Sequence, residues 1–93
     1  MIMSKYAFLI TLGVEAQVLE FWIEQQWLIP AQTDAELSFS DADVARAHLI
    51  QDLKSDFGVN DEGVGVILHL VDQLHGLRRA LDQLHQDFQA PSP

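Results

Sequence analysis

Residues 13–30 read GVEAQVLEFWIEQQWLIP, and this stretch decides the fold. Gly13-Val14 interrupts a helix, because glycine tolerates the left-handed turn that stops one. A second helix is expected over about residues 15–26. Its apolar positions Val18, Leu19, Trp22 and Ile23 recur at helical spacing and face inward, while Glu15, Glu20, Glu24 and Gln25 lie elsewhere on the wheel. Pro30 then holds Ile29 extended and forbids continuation of that helix. Upstream, Ser4 can cap a short helix from Lys5 to about Leu12 that turns Phe8 and Leu9 inward. Two short helices joined by a glycine turn form a helix-turn-helix pattern.

Beyond the proline, Trp27-Leu28-Ile29 and Leu37-Ser38-Phe39 are short extended apolar pieces around a polar loop, which predicts a β-hairpin wing. Ser40-Asp41-Ala42-Asp43 opens a third helix, running to about Asp56. The Ser40 hydroxyl can accept the Asp43 N–H, and two carboxylates sit where the helix dipole favours negative charge. Gly58 ends that helix and Asn60 caps the next. In the last helix Ile67, Leu70, Leu74, Leu77, Leu81, Leu84 and Phe88 recur at spacings of three and four, an unbroken heptad seam roughly 32 Å long. Such a helix overhangs its head, so either the head or a second copy of the chain must cover the seam, and a second copy is expected. Gly63 and Gly65 suggest that the start of this helix passes close to other backbone. One domain results, mainly α. Its head spans residues 1–59, the long helix residues 60–89 and a frayed tail residues 90–93.

Fourteen acids against five bases give a net charge of −9. Eleven of those acids and three of the bases fall in residues 1–62. Such a surface repels phosphate backbones and attracts basic partners. No cysteine is present, which removes disulfides and thiolate metal sites. With no secretory leader pattern and no apolar run long enough to span a bilayer, a cytoplasmic chain with no membrane contact is expected. His69, Asp72 and His75 are spaced by three and drift around the helix, and His48 with Asp52 makes an i, i+4 surface pair, so no metal site is expected. The chain has no nucleophile elbow, no cysteine nucleophile and no phosphate loop, so neither an enzyme nor a cofactor is expected.

A helix-turn-helix ordinarily reads DNA with lysine and arginine on its second helix and wing. From Glu15 through Phe39 this chain has neither; it has Glu15, Glu20, Glu24, Asp34 and Glu36. Affinity for DNA rests largely on neutralised phosphates, and this face neutralises none. Nucleic acid is therefore not the expected ligand.

Taken in order, Gly13-Val14, Gln26-Trp27-Leu28-Ile29-Pro30, Phe39-Ser40-Asp41-Ala42-Asp43-Val44 and the heptad helix resemble a MerR-type winged helix-turn-helix. With Asp72-Gln73-Leu74-His75-Gly76-Leu77-Arg78-Arg79 and the missing bases, the chain is more narrowly similar to the CbpM chaperone modulators over about residues 6–88. That resemblance implies a winged head with a small β-hairpin and a long C-terminal helix, and the heptad seam on that helix is what predicts a homodimer. It also implies binding to the J-domain of a CbpA/DnaJ-like co-chaperone, blocking its stimulation of DnaK through the J-domain's basic helical surface. The expected contacts are Glu15, Glu20, Glu24, Asp34 and Glu36, with Trp27 or Trp22 as apolar anchor or, in the alternative, packed in the core. Dimerisation is expected through Ile67, Leu70, Leu74, Leu77, Leu81, Leu84 and Phe88. Met1 to Ser4 leave little room for a leading strand. The alternative is a MerR-like DNA-binding transcriptional regulator, which only Lys5, Arg46, Lys54, Arg78 and Arg79 could support.

Overall fold

The computed structural model describes residues 2–89, so the tail expected at residues 90–93 lies outside the described residues. In chain order the elements are β1 (Ile2–Ser4), α1 (Lys5–Leu12), α2 (Ala16–Glu24), β2 (Ala31–Thr33), β3 (Glu36–Ser40), α3 (Asp41–Ser55) and α4 (Asp61–Gln89). The fold is the expected mainly α winged helix-turn-helix with a long C-terminal helix.

Local chemistry sets most of the boundaries. The Ser4 hydroxyl accepts the Ala7 N–H at 3.2 Å and starts α1. Gly13 ends it at φ +66°, with the Gly13 N–H on the Ile10 carbonyl and the Val14 N–H on the Leu9 carbonyl, the paired bonds of a Schellman cap. The chain then turns by 106° into α2. That helix closes with the same pair of bonds. Gln26 takes φ +62° and gives its N–H to Ile23 at 3.0 Å, and Trp27 gives its N–H to Trp22 at 2.9 Å. Thus α2 ends before Pro30 is reached.

The wing differs from expectation in two ways. Trp27-Leu28-Ile29 is not a strand; the hairpin strand is β2, after Pro30, and it pairs with β3 from Ala31↔Ser38 to Thr33↔Glu36. Trp27 and Leu28 are apolar because they are buried. Secondly, the N-terminus does supply a leading strand. β1 pairs antiparallel with β3, Met3 opposite Phe39, giving the sheet order β1-β3-β2.

Ser40 starts α3 with a reciprocal capping box: its hydroxyl accepts the Asp43 N–H at 3.3 Å, and the Asp43 carboxylate accepts the Ser40 N–H at 2.9 Å. Phe8 of α1 and Phe39 of β3 stack at 4.2 Å and are fully buried. Leu19, Leu28, Ile50, Val64 and Leu68 complete a core to which nearly every element contributes. At the start of α4, Asn60 Oδ1 accepts the Gly63 N–H at 2.7 Å. A Cβ on Gly63 would lie 2.7 Å from Val59 Cγ1, so the close neighbour there is a side chain and not the backbone the sequence suggests.

Candidate functional site

The acidic surface is built on α2 and the wing. Glu15 sits at the N-cap of α2 in an extended conformation, and its carboxylate accepts a hydrogen bond from Gln17 Nε2 at 2.8 Å. Glu20 and Glu24 follow on the solvent side of α2. Asp34 takes φ +55° in the turn between β2 and β3, and Glu36 begins β3. All five carboxylates are exposed.

Each of the three bases in the head faces a carboxylate. Lys5 Nζ lies 3.8 Å from Glu20, Arg46 forks onto Asp72 at 2.6 and 3.1 Å, and Lys54 pairs with Asp61. The Arg46 Nε also donates to the Trp27 carbonyl. Arg46 holds the Asp72 carboxyl below its usual value, chiefly by hydrogen bonding; partial burial opposes this, and the charges of Arg46, His75 and His69 add to it. What remains of positive charge is Arg78 and Arg79, exposed on α4 beyond the head.

Of the two readings open for the tryptophans, partner anchor or core, the structure has them in the core. Trp27 is 5% exposed and Trp22 is 3%, so both belong to the core and neither presents a ring to a partner. Val18, expected to face inward, is exposed, and so is Phe21. A period of 3.6 turns Leu19 and Trp22 into the core and leaves Val18 and Phe21 about 100° away, a signal present in the sequence but blurred by the continuous run Phe21-Trp22-Ile23. The Phe21 ring meets the Trp27 ring edge-on at 5.6 Å, 86° between planes.

The seam on α4 is largely bare. The helix packs on the head through Val64 and Leu68, while Leu70, Leu74, Leu77, Leu81 and Leu84 are 53–59% exposed and Phe88 is 83% exposed. Ile67, nearest the head, is half-buried. The chain's own head leaves this length of the seam uncovered. Between α3 and α4 lies an open cleft of 390 Å³ with Ala45, Leu49 and Val71 on its walls and His75 at its rim. Its two other polar side chains, Asp43 and Arg46, are committed to the α3 cap and to Asp72. Among the described residues no three metal-ligating side chains come together, and no single helix is long and apolar enough to cross a membrane.

No curated protein and no solved structure matches the chain. A family model described as MerR HTH family regulatory protein matches residues 4–86, from the last residue of β1 to the final turn of the α4 seam. The chain belongs to the MerR helix-turn-helix family of regulatory proteins.

Proposed function

We propose that this protein is a chaperone modulator of the CbpM kind, which binds the J-domain of a CbpA/DnaJ-like co-chaperone and inhibits its stimulation of DnaK. The observation that carries this reading is the charge of the helix-turn-helix. Where a DNA reader presents bases, α2 and the wing present Glu15, Glu20, Glu24, Asp34 and Glu36, and Lys5, Arg46 and Lys54 are each already faced by a carboxylate. Such a face is electrostatically complementary to a basic protein surface and hostile to phosphate. In this reading the protein acts as a homodimer through the α4 seam, and it is regulatory without being an enzyme.

The test is to reverse Glu20 and Glu24 to lysine and follow association with the J-domain by stopped flow at low and high salt. Association should slow by about tenfold and lose most of its salt dependence. Unchanged kinetics would sink the assignment of this face. The family match is equally compatible with a second reading, a DNA-binding transcriptional regulator. A mobility shift at about 0.15 M salt separates the two, because retention of duplex there requires phosphate neutralisation that this head does not offer.

A further inference from the structure

We infer that the outward face of α2 is a mixed apolar and acidic docking surface, centred on Phe21, for a basic amphipathic helix of another protein. The inference rests on the reading that the acidic head binds a protein, and it specifies the anchor and the chemistry of the segment that is bound.

Phe21 is 36% exposed at the middle of α2, with Gln17 and Gln25 one turn to either side and Val18, itself 37% exposed, three residues before it. Glu20 and Glu24 flank this stripe on one side. The ring does not hang free. Its edge contact is with Trp27, which is buried, has its carbonyl bound by the Arg46 guanidinium, carries the Lys54 ammonium 5.9 Å from its ring centroid and lies against Gly65. An aromatic ring already fixed by its underside loses little freedom on binding. A well-supported aromatic with a charged rim is the usual make-up of an energetic hot spot.

The same geometry selects the occupant. Val18 and Phe21 are about one helical turn apart, roughly 5 Å, which matches apolar side chains repeating at i, i+3/i+4 on an apposed helix. The carboxylates beside them, Glu24 and the Glu20 that Lys5 faces at a loose 3.8 Å, call for lysine or arginine flanking that apolar stripe. A second copy of this chain is a poor fit, because it brings a net charge of −9 and its head bases are already paired. Nucleic acid and anionic lipid are repelled by the same carboxylates.

Calorimetric titration of F21Q and V18Q tests this against two probes. The first is the J-domain. The second is a designed helical peptide of lysine and leucine, about 18 residues long with leucine at helical spacing, and glutamate replaces lysine in a counterpart. Wild-type protein should bind the J-domain and the lysine peptide and ignore the glutamate peptide. F21Q should weaken both interactions at least tenfold and V18Q several-fold. V18Q changes an exposed residue, and F21L keeps the packing on Trp27, so a failure of F21Q to fold leaves the test intact. Binding of the J-domain by the variants at wild-type strength would overturn the docking face and leave the J-domain reading standing. If only the lysine peptide binds, and weakens in the variants, the docking face stands and the J-domain reading falls. Silence with both probes overturns both.

Discussion

Replacing Leu77 and Leu81 together by alanine should dissolve the proposed pairing of two chains without unfolding either. Both leucines lie in the middle of the α4 seam and are 59% and 58% exposed in the single chain. Leucine to alanine removes apolar volume worth about 2.4 kcal/mol when burial is complete, at ~0.8 kcal/mol per methylene. A little over half of that remains to be gained on pairing, about 1.4 kcal/mol per side chain. A pair of chains contributes four such side chains, so the double variant should lose about 5–6 kcal/mol of association free energy, on the order of a ten-thousandfold rise in Kd. Alanine is the best helix former, so α4 itself should persist. Sedimentation equilibrium from about 1 to 100 µM should show wild type as a dimer and the variant as a single chain throughout. Thermal unfolding of wild type should depend on concentration, and that of the variant should not. A wild-type chain that sediments alone at the highest concentration, or a variant with unchanged mass, would refute the assignment of the seam.

Other outcomes follow from the head. Phe39→Ala empties one side of the stacked pair with Phe8 and should lower unfolding free energy by about 3–5 kcal/mol in urea titration. Gln26→Gly removes a side chain from the left-handed position that caps α2 and should raise stability by about 0.5–1 kcal/mol, read from the thermal midpoint. Because Arg46 lowers the Asp72 carboxyl in the folded chain, that interaction is fully present above the ordinary carboxylate value and is lost as pH falls through the lowered one. The stability gap between wild type and Asp72→Asn should therefore stay constant above about pH 4 and close on further acidification, measured by denaturant titration across pH.

Features legible in the sequence were those whose cause is local. Ser4 and Ser40 cap helices with groups three residues away, Gly13 makes its own turn, and the α4 seam is a period that any seven residues repeat. Features that need a distant partner were not. β1 exists because Met3 lies opposite Phe39, 36 positions later, and nothing within residues 2–4 announces that pairing. Trp27-Leu28-Ile29 looks like a strand since a connector that buries Trp27 and Leu28 and exposes Ile29 is as apolar over three residues as a half-buried strand. The acidic face could be read directly, because carboxylates stay in water whatever the fold does. Its apolar anchor was harder to read: the helical period sets Phe21 apart from Leu19 and Trp22, but the unbroken run Phe21-Trp22-Ile23 blurs that signal, and Trp27 lies past the end of the helix where no period applies.

Arg46 has a mechanical consequence. One planar guanidinium on α3 fastens the carbonyl of Trp27, just past the end of α2, to the carboxylate of Asp72, well along α4. Three stretches of chain spread over 45 positions are thereby bolted at a single rigid fork. The long helix then behaves as an outrigger of the head and not as a tether. Whatever binds its far end is carried at a set distance and bearing from the face of α2.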